Sequence, residues 1–292
     1  MECGAAVHRQ PREKKGTAMK TKPKWYRKWD LDVPREVIEA SVAKYGADPE
    51  KYSHSSIGET YCPPDSDALC GKTLVFRGEG RVYSFAFGEL HAVRFSEDGG
   101  EETACWCNVK TMDGEIFLVN QLIPGYACSR QVTLIADMKT GSATVCDAHV
   151  GTEHSNIDVG REFFFGRLDG AFPEDGALHC FTDELVGKAI DWDYGKIVIK
   201  HMYTSNLYYT YSHPSPNYGA WMATNPADYV KIRDNIYLFS FVEERQHGLQ
   251  ALFLIDLNHY HDIGCFYGVS ADHMTSACIG AKGTPAPLTT IF

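Results

Sequence analysis

The strongest constraint on this chain is that it contains one pattern twice. Leu69-Cys70-Gly71-Lys72-Thr73-Leu74-Val75-Phe76 returns as Leu185-Val186-Gly187-Lys188-Ala189-Ile190-Asp191-Trp192, and the match runs without a gap to Phe95-Ser96 and Tyr211-Ser212. Farther on, Leu134-Ile135-Ala136-Asp137-Met138 lines up with Leu254-Ile255-Asp256-Leu257-Asn258. A unit this long exceeds the usual solenoid periods of roughly 20–50 residues, so each copy is expected to form a small closed sheet of its own. Any site then lies inside one unit or between the two.

A chain of 292 residues with 44% hydrophobic content can bury one or two cores, in line with two units. The formal charge is −10, although the first residues are basic: Arg9, Arg12, Lys14, Lys15, Lys20, Lys22, Lys24, Arg27 and Lys28 stand against Glu2 and Glu13. The remaining body is therefore more acidic still and repels phosphate backbones, so nucleic acid is not an expected partner. The arm itself reads as a solvated, disordered tail over 1–30. No stretch approaches the roughly 18 apolar residues of a membrane span, and the start lacks the apolar run of a secretory signal. A cytoplasmic protein without a membrane partner is the expectation, with a homodimer left open. The ten cysteines sit in apolar, strand-like contexts and read as free thiols, not as a disulfide framework.

Pro34 to Tyr45 reads as one short helix that starts at a proline, inside an N-terminal segment of 31–64. From Leu69 the pattern changes to short runs of Val, Ile, Phe and Tyr punctuated by turn residues such as Asp113-Gly114 and Thr140-Gly141, which are strands and hairpins. In the first copy, strands are predicted near 72–77, 80–87, 90–96, 103–110, 114–122, 130–138 and 142–149. In the second they are predicted near 187–193, 195–202, 206–212, 219–223, 227–232, 235–243, 249–257, 261–268 and 275–280. Short strands joined by hairpin-length loops argue for an all-β protein of two tandem antiparallel, calycin- or lipocalin-like barrels. The first spans 65–150, the second 185–292, and 151–184 reads as the linker that crosses between two packed barrels.

The second copy resembles a known group. Gly187-Lys188 before an aromatic strand, Asn206-Leu207-Tyr208-Tyr209-Thr210-Tyr211-Ser212-His213, Gly219-Ala220-Trp221, Tyr237 to Glu243 and Gly264-Cys265-Phe266-Tyr267-Gly268 follow the strand order of phenolic acid decarboxylases, which are small calycin-like barrels without a cofactor. The tandem arrangement, with a degenerate first copy, more closely resembles the molybdenum-cofactor-biosynthesis protein F-like family. The resemblance covers roughly 65–282 and is sharpest at Ser240 to Glu243. In the decarboxylases, two first-strand tyrosines and an arginine bind the substrate carboxylate, and a strand-end glutamate is the general acid. By that resemblance Tyr194 matches one tyrosine, Trp192 stands at the other and Glu243 matches the acid, while Ala220 occupies the arginine position. Without a guanidinium a desolvated carboxylate lacks an obvious clamp, while the barrel and its acid are retained, so decarboxylation, hydration or dehydration, and cyclisation all stay open.

Strand alternation puts Tyr237, Phe239, Phe241 and Glu243 on one face, and Tyr209, Tyr211 and His213 on another. A carboxyl at the inner mouth of an aromatic cavity is expected to titrate near neutrality and exchange protons, whereas a charged hairpin end would be inert. Glu243 and Tyr194 are therefore the expected catalytic residues. Trp192, Tyr209, Tyr211, His213, Trp221, Tyr237, Phe239 and Phe241 are expected to bind substrate. His259-Tyr260-His261-Asp262 places two histidines on one face, but near a hairpin they read as solvent-facing, and Cys105-Trp106-Cys107 fits neither zinc-ribbon nor redox spacing. No Gly-rich phosphate loop and no Gly-x-Ser-x-Gly elbow occurs. The expectation is no metal and no cofactor, and a lyase or isomerase of secondary metabolism that acts on a small aromatic or polyketide-like molecule. A carrier of an apolar ligand and an accessory protein are the rival readings. The first copy, with Val93 and Phe95 where the second has Tyr209 and Tyr211, and Leu122-Ile123-Pro124 where it has Val242-Glu243-Glu244, is expected to be structural.

Overall fold

In the computed structural model, the described residues are 32–55, 57–126, 129–173, 176–213, 221–243, 248–270 and 273–288. The basic tail, Ala220 and Glu244 lie outside them, as does the side chain of Trp221. Eight strands form the first barrel: β1 (Thr73–Gly78), β2 (Arg81–Phe87), β3 (Ala92–Glu97), β4 (Thr103–Met112), β5 (Ile116–Leu122), β6 (Arg130–Asp137), β7 (Ser142–Val150) and β8 (Val159–Leu168). Each is antiparallel to the next, and β8 returns to β1 through the pairs Phe76↔Leu168 and Arg77↔Arg167. The short β9 (Cys180–Phe181) leads into β10 (Ala189–Asp193), β11 (Val198–Met202), β12 (Tyr208–His213), β13 (Trp221–Arg233), β14 (Ile236–Val242), β15 (Gln250–Asp256), β16 (His261–Val269) and β17 (Met274–Pro285). Strands β10 to β17 close a second antiparallel barrel, with β10 beside β17 and β9 added to β13 past the end of β12. Among the described residues the protein is all-β, as the alternation implied, apart from α1 (Arg35–Tyr45) and the single turn α2 (Pro49–Tyr52). Both helices are in the N-terminal segment.

Three details differ from the sequence reading. The segment read as a linker contributes β8, which seals the first barrel and occupies the place β17 holds in the second. The two strands expected at 219–223 and 227–232 are one strand, β13. Pro226 sits where β13 leaves β12, at Tyr208↔Pro226, and takes up β14, at Ala227↔Phe241, so its missing N–H costs the ladder little. The match of Leu134 with Leu254 is one residue off. Leu134 fills the first barrel, whereas Leu254 points out of the second and Phe253 points in. A one-residue slip exchanges the faces of a strand.

Each barrel has its own core. Phe76, Tyr83, Phe85, Phe95, Val119 and Val145 fill the first; Trp192, Tyr203, Tyr229, Phe239 and Phe253 are among the rings that fill the second. The outward residues of the central strands then meet. Leu118, Ile135 and Cys146 of the first barrel pack on Leu238, Leu252 and Ile263 of the second, forming a third buried cluster between the barrels. Polar groups stitch the same seam: Asn120 Nδ2 donates to Ser276 Oγ at 3.1 Å, Ser276 Oγ to Gln131 Oε1 at 2.7 Å, and Arg161 Nε to Asp228 Oδ2 at 2.8 Å. Helix α1 buries Ile38 with Leu122, Val150, Val242 and Val269, over one end of both barrels.

Candidate active site in the second barrel

The aromatic interior of the second barrel is a direct consequence of alternation. On β14, Tyr237, Phe239 and Phe241 point inward while Ile236, Leu238 and Val242 point out. Glu243 prolongs the inward row by one step, because its N–H donates to Leu249 O at 2.8 Å and keeps it in the β14–β15 ladder. Its side chain is buried, 7% exposed, so the reading of a solvated hairpin end does not hold. Beside it Tyr209 is fully enclosed: burial, and then the Glu243 charge, push its phenol well above the ordinary value of 10. Tyr209 packs on Phe241 with ring centroids 4.4 Å apart, stacks with Tyr211 at 6.1 Å, and receives a long hydrogen bond from Asn225 Nδ2 at 3.5 Å. His213 follows on the same buried face, and Trp221 opens β13 opposite it in the pair His213↔Trp221.

Tyr194 is also buried, but its partner is another carboxyl. Its hydroxyl donates to Asp262 Oδ2 at 3.3 Å, and burial raises the Asp262 pKa to about 7, only partly opposed by the Ala281 N–H and the Tyr194 hydroxyl. The Glu243 charge thus acts on Tyr209, while Tyr194 is hydrogen-bonded to Asp262. Trp192, expected at the second tyrosine position, is buried in the core, where its Nε1 donates to the Tyr203 hydroxyl at 3.3 Å. Tyr237 faces inward too, yet its hydroxyl leaves the barrel for Glu184 Oε2 at 2.8 Å. Six residues separate it from Glu243 along an extended strand, about 20 Å at roughly 3.4 Å per residue, so the two cannot hold one small polar group.

Sequence reasoning singled out neither Asp262 nor His201 as a site residue. Asp262 sits at the tail of the His259-Tyr260-His261 motif, and its inward direction was legible only from its two-residue spacing to Gly264 and Phe266. Gly264 is needed there, since a Cβ on it would lie 2.4 Å from Phe253 Cδ1. His201 is ringed by Tyr203, Tyr209, Phe239, Phe241 and Phe253, with centroids at 5.3–6.4 Å and edge-on geometry. Burial lowers its pKa to about 3, so the imidazole is neutral at ordinary pH. The segment 57–62 covers the flank beside Tyr194: Gly280 N–H donates to Gly58 O at 3.0 Å, and Tyr61 OH to Asp193 Oδ2 at 3.3 Å. Every described Lys or Arg of this barrel is committed elsewhere or exposed. Lys188 bonds the Glu184 carbonyl, Lys231 its carboxylate, Lys200 the Pro287 carbonyl and Arg233 Asp137, while Lys282 lies over Tyr61 and Lys196 is on the surface.

The two barrels also match known domain models. The MoaF N-terminal domain matches residues 55–152 and the MoaF C-terminal domain residues 179–287. The chain belongs to the MoaF-like family. A comparison with curated proteins gives no match.

The MoaF N-terminal domain is built differently inside. Val93 and Phe95 are buried where the C-terminal domain has Tyr209 and Tyr211, and Ile123 joins the first core at the place of Glu243. Its mouth is nevertheless charged, contrary to the expectation of an apolar counterpart. Arg130 Nη2 holds Glu97 at 2.6 Å and its Nε holds Asp147 at 2.8 Å, with Tyr83 OH on Asp147 at 3.3 Å, at the edge of a cleft of about 560 Å³. The Arg130 hydrogen bond lowers the Glu97 pKa against the effect of burial, which fixes that carboxyl as an ion. At the opposite end of the seam, ligand atoms of Asp113, Asp256 and His259 lie within 4.8 Å of one another, a set that could hold a divalent cation. The two histidines of that motif do not act together: His259 Nδ1 contacts Asp256 Oδ2 at 2.6 Å, and His261 Nε2 contacts Tyr61 O at 3.2 Å. Among the described residues no helix is long and apolar enough to cross a membrane.

Proposed function

We propose that the MoaF C-terminal barrel transforms a small, uncharged aromatic or polyketide-like molecule by proton transfer, as a lyase or isomerase that uses the barrel's own side chains. The observation that carries this reading is Glu243, a carboxyl buried at the mouth of an aromatic barrel against Tyr209. Proton transfer by one positioned carboxyl supplies roughly 10²–10⁴ in rate, and oriented phenols add stabilisation of a developing oxyanion. The absence of an interior cation among the described residues argues against a carboxylate substrate, so hydration, dehydration or cyclisation fits better than decarboxylation.

Native mass spectrometry of the full chain, purified without denaturant, is the first test, because the mass of a retained molecule defines the reaction class. With that molecule or its precursor in hand, Glu243→Gln is expected to keep ligand binding and lower turnover by about 100-fold or more. Unchanged turnover with retained binding would favour the carrier reading.

A further inference from the structure

The two copies place a buried carboxylate at the same point and surround it differently. With the register shifted by one residue, Asp137 closes β6 opposite Ile116, and Asp256 closes β15 opposite Ile236. Both side chains are buried, and each accepts an N–H from two residues on: Lys139 N–H donates to Asp137 Oδ1 at 2.9 Å, and Asn258 N–H to Asp256 Oδ1 at 2.7 Å. A carboxylate taken out of water needs a counter-charge. Asp137 receives one across the seam, because the β13–β14 hairpin sends it Arg233. The reciprocal β4–β5 hairpin instead brings Asp256 a second carboxylate, Asp113, fixed in its turn at φ 55°.

The described cations nearby are used elsewhere. Arg233 gives Nε to Asp137 and Nη1 to Glu115, and Lys282 lines the same cleft but holds its ammonium over the Tyr61 ring, 4.9 Å from the centroid. Asp113 and Asp256 are left to share one imidazole, that of His259, whose Nδ1 is 2.6 Å from Asp256 Oδ2. One ligand atom from each of the three lies within 4.8 Å of the others, and all three line a cleft of about 500 Å³ walled by both barrels. Ligand atoms at about 2.1 Å from one ion stand roughly 3–3.5 Å apart, so a small closing movement of the exposed Asp113 and His259 completes the set. One nitrogen and two carboxylates suit a first-row divalent ion better than Ca²⁺, whose ligands are oxygens. We propose that Asp113, Asp256 and His259 form a divalent transition-metal site that joins the two barrels, the ion standing beside Asp256 as Arg233 stands beside Asp137. Binding releases the proton shared by His259 and Asp256 to solvent, because imidazole ligates as the neutral ring. The site is independent of the chemistry inside the second barrel.

The test uses the full chain, stripped with a chelator and titrated with Mn²⁺, which thiols bind weakly, so that the free cysteines do not obscure the site. Electron paramagnetic resonance counts the bound ion, and paramagnetic broadening of amide signals locates it. The expected result is one Mn²⁺ per chain, with broadening centred on Gly114 and Asn258 and an affinity at least about 10-fold above that for Ca²⁺. Asp113→Asn and His259→Gln are each expected to weaken binding by about 10-fold or more. Asparagine tolerates the left-handed turn and both side chains are exposed, so both variants are compatible with the fold. The control is Asp234→Asn, which removes a 95% exposed acid from the β13–β14 hairpin and is expected to leave the affinity unchanged. Absence of saturable binding, Ca²⁺ bound as tightly as Mn²⁺, or an affinity indifferent to Asp113→Asn or to His259→Gln overturns the site. An equal loss in all three variants does so too, since it would mark general attraction to an acidic surface.

Discussion

At the scale of single residues, the second barrel contains two titratable groups that burial pushes in opposite directions. Asp262 has a folded pKa raised to about 7 from 3.8, so the folded state holds its proton more tightly and the stabilisation is complete only below the unfolded value. That contribution is lost as pH rises from about 4 to about 7. His201 has a folded pKa lowered to about 3 from 6.5, so folding is opposed as pH falls below 6.5. Between about pH 4 and 6.5 the two proton balances cancel, and the unaltered chain should show little slope from them. Asp262→Asn removes one side of the balance. Relative to the unaltered chain, its unfolding free energy is expected to gain about 4 kcal/mol between pH 4 and pH 8, read from urea denaturation across that range. Parallel pH profiles for the two proteins would show that Asp262 is not desolvated. The first barrel offers the contrast: the Arg130 hydrogen bond holds the Glu97 pKa below its ordinary value, so that carboxyl is a structural ion instead of a proton donor.

At the scale of elements, legibility followed how self-contained each strand is. β14 and β15 are mostly aromatic and aliphatic runs, and β5, β6 and β7 are apolar-rich stretches between turn residues, so they appear in the sequence as they appear in space. The turn at Asp113-Gly114, with φ of 55° and 70°, was legible because those residues tolerate the left-handed region. β8 was not. Its Val159-Gly160-Arg161-Glu162-Phe163-Phe164-Phe165-Gly166 run mixes charges and glycines between Gly151 and Asp169-Gly170, and it is the ladder with β7, from Ser142↔Arg167 to Val150↔Val159, together with closure against β1 that makes it a strand. The face of β15 was misread because a hairpin one residue shorter reverses every side chain. Gly264 supplies a test of the corrected register: it is required by the Phe253 ring, and its Cβ would also lie 2.5 Å from the Leu252 carbonyl oxygen. Gly264→Ala is expected to destabilise the protein by about 1–3 kcal/mol in chemical denaturation and to alter the near-ultraviolet dichroism of the aromatic cluster. A silent substitution would place Phe253 elsewhere.

At the scale of the whole molecule, the barrels share a buried apolar seam with an ionic edge, which makes each a poor independent unit. Arg233 of β13 donates through Nε to Asp137 at 2.6 Å and through Nη1 to Glu115 at 2.6 Å, both on the first barrel. The Asp137 side chain has no exposure, so Arg233→Ala would strand a buried carboxylate. A loss of about 3–5 kcal/mol is expected in the unfolding of the entire chain, with both barrels melting together. Two separate transitions in calorimetry would instead mean that the seam is weak. In the same way, a fragment of residues 176–288 would expose Leu238, Leu252, Leu254 and Ile263, and is expected to aggregate where the full chain stays in solution, as judged by size-exclusion chromatography.

The sequence by itself determined the repeat, the all-β class and the inward row that ends at Glu243, because these follow from local spacing and the two-residue period of a strand. Which carboxyl meets which phenol was a different matter. Tyr194 finds Asp262, the Glu243 charge acts on Tyr209, and His201 becomes the centre of five rings only when β10, β11, β14 and β16 are bent into one closed cylinder. Closure brings together residues far apart in the chain, and the loss of water inside it gives Asp262 and His201 their altered proton affinities.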